Sequence, residues 1–138
     1  MKQYKTPCYI LKKEKFTQNC NDIENNFLNC YGGNIAIGYS VKTNNCSQIL
    51  RLVRERNWYA EVVSYEEYKL VKKAGFESRK IICNGPVKGK MLDIVATQKD
   101  VIVNLDNMEE VYKVCKLANG QRNFGIRINF DFETECPG

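Results

Sequence analysis

Three ionisable residues lie in or beside runs of the sequence that otherwise read as buried β-strands. Lys42 ends the first run, Glu61 lies in the second and Arg127 lies in the fifth. Strands buried on both faces are typically continuous apolar runs, so charged residues in them point to a site. Burial favours the uncharged amine of a lysine, which forms a Schiff base with an aldehyde. A guanidinium binds a phosphate or phenolate oxygen through its planar fork.

Side-chain alternation predicts that these residues share the inner side of the strands. In the run 34–42 the small residues have the same parity as Lys42, whereas the large ones have the other. Lys42 would project from the carboxyl end of its strand, where parallel barrels build their sites. On the residues alone, two interpretations remain open. Lys42, Glu61 and Arg127 converge at a site, or Glu61 and Arg127 form a structural ion pair and Lys42 extends to solvent.

The elements that must position these residues repeat with a regular period. Predicted strands begin at residues 35, 59, 81, 101 and 124, which are 20 to 24 residues apart. Such a β-α period indicates parallel strands joined by crossover helices. A complete (β/α)₈ barrel needs about 250 residues. Five units therefore fit either a small open α/β sheet or the first part of a barrel. The even spacing, and the absence of a G-x-G-x-x-G turn, favour the barrel.

Helices are predicted between these strands and before the first one. Ser64 with Glu67, and Asp106 with Glu109, have the spacing of capping boxes at helix starts. The predicted helices cover residues 13–30, 47–57, 64–75, 90–98 and 106–118. In the last helix, Met108, Val111, Cys115 and Ala118 are predicted to form the apolar face.

The composition excludes several classes of site. The chain has 138 residues and no histidine, so it contains no Ser-His-Asp triad, no Cys-His pair and no His-ligated metal site. Its seven cysteines include no C-x-x-C pair, which argues against a disulfide scaffold or a zinc ribbon. Cys20 and Cys115 fall at apolar helix positions and are expected to be buried.

Charge and hydropathy give expectations about partners and location. The net charge of +5 does not by itself identify a nucleic-acid binder. The basic residues between 69 and 90 are interpreted as a solvated surface. No run approaches the roughly 18 apolar residues of a membrane-spanning helix, and no signal peptide is evident. We expect a cytoplasmic protein without a nucleic-acid or membrane partner.

Five segments resemble fold-type III pyridoxal-phosphate decarboxylases, the diaminopimelate/ornithine decarboxylase family. Residues 39–44 (YSVKTN) are similar to the family motif Y-[AS]-[VF]-K-[AT]-N. Residues 6–10 (TPCYI) resemble T-P-x-Y-[VI], and residues 59–64 (YAEVVS) resemble F-[DE]-V-V-S. Residues 82–88 (ICNGPVK) resemble [FY]-N-G-P-x-K, and residues 125–129 (GIRIN) resemble [LI]-R-[VI]-N. The matches follow the order of the family and cover nearly the whole chain.

The resemblance implies a role for each candidate site residue. Lys42 would be the catalytic lysine that binds pyridoxal 5′-phosphate covalently. Glu61 stands where many members have Asp, and Arg127 takes the position of an arginine near that acid and the cofactor. Asn84 and Lys88 would line the entrance of the cofactor pocket. No metal is implied.

The resemblance also implies an architecture and an activity. Residues 1–12 would be the opening strand of the family's β-domain, and residues 13–138 a partial alanine racemase-like (β/α)₈ barrel that binds the cofactor. The activity would be decarboxylation of a small-molecule amino-acid substrate by a homodimer. Alternatives are an alanine-racemase-like enzyme or a non-catalytic, cofactor-binding or regulatory homologue. The 138-residue chain alone is expected to be inactive, because it lacks the family's ring-stacking histidine and glycine-rich phosphate loop.

Overall fold

A five-stranded parallel sheet organises most of the chain. The computed structural model describes residues 5–118 and 123–128. The strands are adjacent in chain order and each neighbouring pair is parallel, as the β-α period predicts. They are β1 (Gly38–Ser40), β2 (Tyr59–Val62), β3 (Ile81–Cys83), β4 (Ile102–Leu105) and β5 (Gly125–Ile126).

One helix precedes the sheet, and one connects each pair of successive strands. These are α1 (Lys13–Tyr31), α2 (Ser47–Glu55), α3 (Tyr65–Lys73), α4 (Lys90–Val95) and α5 (Met108–Leu117). Single 3₁₀ turns follow β1 (Val41–Thr43) and precede β3 (Ser78–Lys80). Sequential strands joined by helices are the arrangement of a parallel barrel or an open α/β sheet.

Helix α1 belongs to a separate compact unit that ends at Ile35, while the sheet lies in a second unit from Ala36 onward. The helix ends at Gly32, where φ is 63° and the backbone N–H donates to the Leu28 carbonyl. Within this helix Cys20 is buried, as expected, whereas Phe27 is exposed. Among described residues 5–12 there is no strand. The division into 1–12 and 13–138 stays a prediction.

The first and last strands are shorter than the sequence predicts. The predicted strand 34–41 is a strand only from Gly38 to Ser40, because the chain turns into a 3₁₀ helix at Val41. The predicted strand 124–129 is a strand only at Gly125–Ile126, and its Asn129 lies outside the described residues.

The sheet has one apolar face and one partly polar face. On the apolar face, alternate strand residues are buried against the helices; these are Ala60, Val62, Ile81, Cys83, Val103 and Leu105. Helices supply the opposite side of this core through Leu50, Val53, Val71, Met91 and Val95. The other face carries Glu61, Ile82 and Asn104, which are half-buried. Alternation along each strand thus separates the core from the face that could hold a site.

Helix α3 begins as predicted. The Ser64 Oγ accepts a hydrogen bond from the Glu67 N–H at 3.3 Å. The Glu67 carboxylate reaches one residue further back than expected and accepts from the Val63 N–H at 2.8 Å. Two backbone donors at the helix start are therefore satisfied, as in a capping box.

Helix α5 begins one residue later than predicted. The cap is Asn107, whose Oδ1 accepts from the Glu110 N–H at 2.9 Å, so the predicted Asp106–Glu109 box is wrong. The predicted apolar face of this helix is also wrong, because Met108 and Cys115 are exposed. The helix instead buries Val114 and Glu110.

Tyr68 is a polar residue within the core. It is 5% exposed, and its hydroxyl donates to the Gln98 side chain at 2.9 Å. Burial raises the pKa of the Tyr68 hydroxyl above its ordinary value of 10.0, because the phenolate loses hydration. The hydrogen bond to Gln98 opposes this shift in part.

Several expectations about composition can be compared with the described residues. Six cysteines there are free thiols, and no group of three or more His, Cys, Asp or Glu residues could hold a metal ion. No helix within residues 5–118 and 123–128 is long and apolar enough to cross a membrane.

Candidate cofactor site at the carboxyl edge of the sheet

Lys42 lies on the 3₁₀ turn directly after β1, at the carboxyl end of that strand. Two hydrogen bonds close this turn. The Thr43 Oγ1 donates to the Ser40 carbonyl at 2.7 Å, and the Tyr39 hydroxyl donates to the Asn44 carbonyl at 2.8 Å. The Lys42 side chain is exposed, and it forms no hydrogen bond or ion pair with another residue of the described ranges. Its amine is therefore available to an incoming carbonyl group.

Glu61 is held on the partly polar face of the sheet by two donors. The Ser40 hydroxyl, across the β1–β2 ladder, donates to Glu61 Oε2 at 2.6 Å. The Asn84 side-chain amide, just beyond the end of β3, donates to Glu61 Oε1 at 3.1 Å. Each carboxylate oxygen thus has its own donor, which fixes the orientation of the side chain.

Asn104 extends this set of contacts to the fourth strand. Its side-chain amide donates to Asn84 Oδ1 at 2.6 Å. We refer to Ser40, Glu61, Asn84 and Asn104 as the polar relay. The relay runs across four neighbouring strands at the face opposite the apolar core.

Lys88 lies beneath this edge of the sheet rather than at its surface. Its side chain is 0% exposed, and its Nζ lies 2.7 Å from Asp106 Oδ2 and 2.6 Å from Glu110 Oε2. It also donates to the Gly85 carbonyl at 2.7 Å. We call Lys88, Asp106 and Glu110 the Lys88 cluster. Because three acceptors surround its ammonium group, Lys88 anchors the loop after β3 to the start of α5.

Arg127 follows β5 and joins the edge of the Lys88 cluster. Its Nη1 lies 3.6 Å from Asp106 Oδ1, and its side chain is 71% exposed. The Arg127 N–H donates to the Leu105 carbonyl at 2.8 Å, which fixes the backbone of this residue. Within the described residues Arg127 makes no ion pair with Glu61, so the structural Glu61–Arg127 pair that the sequence left open is wrong. The guanidinium instead has an exposed side that faces solvent.

The site therefore differs from the sequence prediction in its internal contacts. Glu61 and Asn84 are brought together, whereas Lys88 is part of a buried ion-pair cluster and does not lie at the surface. The sequence reasoning assigned no role to Asn104. The sequence did contain a signal for it, because Asn104 is the polar residue in the apolar run 101–105 and has the same parity as Ile102. No sequence pattern indicated that Asp106 would pair with Lys88.

Residues 14–137 match the family described as "Pyridoxal-dependent decarboxylase, pyridoxal binding domain". The chain belongs to this family. Pyridoxal phosphate is the cofactor of the family, and the parallel β-α units are the first part of its barrel. The resemblance drawn from the five sequence segments, and the fold that it implies, are thus confirmed.

The relatives of the chain include diaminopimelate decarboxylases. The chain is 30% identical, over 136 residues, to the probable chloroplastic diaminopimelate decarboxylase of Oryza sativa subsp. japonica, covering 95% of this chain and 27% of that protein. The solved diaminopimelate decarboxylase from M. jannaschi is 28% identical with a TM-score of 0.76, covering 91% of this chain and 31% of that one.

A second solved relative shows the same fold. The Helicobacter pylori diaminopimelate decarboxylase, complexed with L-lysine, has a TM-score of 0.78 at 23% identity. It is matched over 91% of this chain and 32% of its own length. The chain spans between a quarter and a third of the length of these relatives.

The residues at the carboxyl edge of the sheet fit pyridoxal phosphate by their chemistry. An amine without a partner among the described residues can bond to the aldehyde, and an exposed guanidinium can bind an anionic oxygen. The Glu61 carboxylate, whose two oxygens are oriented by Ser40 and Asn84, lies on the partly polar face of the sheet. Lys42, Glu61 and Arg127 could therefore hold the cofactor.

Proposed function

We propose that this chain is the cofactor-binding part of an amino-acid decarboxylase of the diaminopimelate type. The observation that carries the proposal is the position and availability of the Lys42 amine. It follows a strand of a parallel sheet at the carboxyl edge and has no partner among the described residues. Parallel barrels build their active sites at this edge. Membership in the pyridoxal-binding domain family supports the assignment.

Each side chain has a role that follows from its contacts. Lys42 would provide the amine that holds the aldehyde of the cofactor. Glu61, held by Ser40 and Asn84, provides a fixed negative charge on the inner face of the sheet. Arg127 provides an exposed positive charge for an anionic oxygen of cofactor or substrate. When bound, pyridoxal phosphate supplies a ring that delocalises the negative charge left at the α-carbon after CO₂ departs.

Asn84 and Lys88 contribute to the pocket in different ways. Asn84 lines it directly, since its amide contacts Glu61. Lys88 acts through the loop that begins at Asn84, because its ammonium group holds the Gly85 carbonyl. The turn that carries Asn84 is thereby tied to Asp106, which also contacts Arg127.

The substrate, assembly and location of the protein are parts of the same proposal. The Helicobacter pylori relative is complexed with L-lysine, which supports an amino acid with a second amino group as the substrate or product. We propose a homodimer located in the cytoplasm, without a nucleic-acid or membrane partner. Free thiols at the six described cysteines are consistent with a reducing compartment.

Cofactor loading tests the proposal on the chain itself. The chain is incubated with pyridoxal phosphate, its visible absorption is recorded, and borohydride then fixes the cofactor for peptide mapping. We expect modification at Lys42 and loss of the visible band in Lys42→Ala. The control is Lys99→Ala, which removes another exposed lysine and should leave the band unchanged. Equal bands in Lys42→Ala and the unmodified chain would refute the assignment of the site.

A second assay separates decarboxylation from racemisation in the protein that contains this chain. A decarboxylase releases labelled CO₂ from carboxyl-labelled diaminopimelate or lysine. A racemase retains the carboxylate and exchanges the α-proton with solvent. Release of label that depends on Lys42 is expected. Proton exchange without release would contradict the proposed activity, and inertness of a loaded protein would favour the non-catalytic homologue.

A further inference from the structure

The side-chain amide of Asn84 can be placed in two orientations that differ by an exchange of its oxygen and nitrogen. Its contacts select one of them. The Glu61 carboxylate only accepts, so the Asn84 nitrogen faces it at 3.1 Å and the Asn84 oxygen accepts from the Asn104 amide at 2.6 Å. In the reversed orientation a carbonyl would face a carboxylate at Glu61, and the Asn104 amide would have to turn over to keep its hydrogen bond to Asn84. Asn104 therefore stabilises the orientation in which Glu61 receives a donor.

Gly125 gives Asn104 the space that this orientation needs. The two residues are paired across the β4–β5 ladder. A Cβ atom at Gly125 would lie 1.9 Å from Asn104 Oδ1 and 2.9 Å from its Cγ. These distances are far below van der Waals contact, so any larger residue at position 125 would displace the Asn104 side chain. The absence of a side chain at Gly125 on β5 thus allows Asn104 to hold Asn84 against Glu61 on β2.

We propose that Asn104 is a positioning residue for the cofactor site and that Gly125 is required to keep it in place. Asn104 acts through Asn84 on Glu61, and it does not itself touch the cofactor. This inference rests on the proposed function, since it concerns the orientation of Glu61 at the pyridoxal phosphate site. It assigns a role to two residues, one on β4 and one on β5, that do not themselves hold the cofactor.

The inference predicts that two chemically different changes have the same effect. Asn104→Ala removes the donor to Asn84, and Gly125→Ala displaces that donor without removing a polar group. Each should weaken binding of pyridoxal phosphate to Lys42 by about three- to tenfold, the effect of losing the one neutral hydrogen bond that holds Asn84. The double variant should bind as weakly as either single variant, because the added methyl group then meets no Asn104 side chain. Ile126→Ala, which alters an exposed neighbour of Gly125, should bind normally.

Two measurements test the inference. The first is the equilibrium titration of each variant with pyridoxal phosphate, followed by its visible absorption. The second uses the cofactor-free protein, in which NMR measures hydrogen exchange at the Asn84 side-chain amide. We expect faster exchange in Asn104→Ala and Gly125→Ala than in Ile126→Ala. Urea unfolding of every variant shows whether a change in binding merely follows a loss of stability.

The outcomes distinguish this inference from the proposed function. Unchanged Asn84 exchange and unchanged cofactor affinity in Asn104→Ala would overturn the positioning role. Additive losses in the double variant would show that Gly125 does not act through Asn104. If the unmodified chain does not bind pyridoxal phosphate, the proposed function fails, and the NMR measurement still decides whether Asn104 orients Asn84.

Discussion

Replacement of Lys88 by methionine should destabilise the fold far more than the same change at an exposed lysine. Methionine has nearly the length of lysine but lacks the ammonium group. In the folded chain that group lies 2.7 Å from Asp106 Oδ2 and 2.6 Å from Glu110 Oε2. Both carboxylate side chains are 8% exposed. Lys88→Met would therefore leave two buried negative charges without their common partner.

The expected loss follows from this burial. Removing one member of a buried ion pair costs about 3–5 kcal/mol, because the remaining charge has lost both its hydration and its partner. A domain of ordinary stability has about 5–15 kcal/mol in total. At the surface, Lys113 pairs with Asp93 at the same distance of 2.7 Å, but the two side chains are 43% and 48% exposed. Such a pair contributes about 0–1 kcal/mol.

Urea denaturation measures the difference between these two lysines. Lys113→Met is the matched control, since it makes the same substitution at an exposed pair. We expect a large drop in the unfolding midpoint for Lys88→Met and a small one for Lys113→Met, with similar denaturant slopes. Adding Glu110→Gln to Lys88→Met should recover part of the loss, because it removes one unpaired charge. Equal midpoints for the two methionine variants would refute the reasoning.

Three further predictions concern the core, a loop and a helix start. Above pH 10 the unfolded state loses the Tyr68 proton before the folded state does, so the free energy of unfolding should fall with pH, by up to about 1.4 kcal/mol per unit. Tyr68→Phe should show a shallower fall in urea titrations at pH 9 to 11. Gly85→Ala should cost about 1–3 kcal/mol, because φ is 99° and the new Cβ would lie 3.0 Å from Val63 Cβ. Gly89→Ala, also at positive φ but with nothing within 4 Å, should lower the melting temperature less. Asn107→Ala should lose about 1 kcal/mol in urea unfolding through loss of the helix cap, and Asn107→Asp should retain most of it.

Much of the fold was predictable because hydrophobic periodicity is a local property of the sequence. The alternation of β-branched runs and amphipathic stretches located all five strands and their helices. Alternation within residues 59–62 also placed Glu61 on the face opposite Ala60 and Val62. Lys42 lies at the carboxyl end of β1 as predicted, but it lies on a 3₁₀ turn, so strand alternation does not set the direction of its side chain. The lengths of the strands were harder to predict, because the turn at Val41 depends on contacts such as the hydrogen bond from Thr43 to the Ser40 carbonyl.

The partners of the charged residues were not predictable from local patterns. Lys88 pairs with residues 18 and 22 positions away, and no periodicity encodes that pairing. Asp106 and Asn107 are both favourable helix caps, so the sequence alone does not choose between them. The choice depends on the buried ammonium of Lys88, which engages Asp106 and leaves the cap to Asn107. Cys115 was misplaced because the helix turns Glu110 and Val114 toward the core instead.

Under the proposed function, the polar relay would also make cofactor binding depend on the register of the strands. Its three hydrogen bonds join residues that are 21, 23 and 20 positions apart in the sequence, so no single β-α unit can form any of them. Because side chains alternate between faces, a slip of one residue in any of the four strands would turn a relay residue toward the apolar core. A chain that is compact but misaligned would still expose Lys42 on its turn, yet it would lack an oriented Glu61. If Glu61 acts at the cofactor site as proposed, affinity for pyridoxal phosphate would report whether four strands have aligned correctly at once.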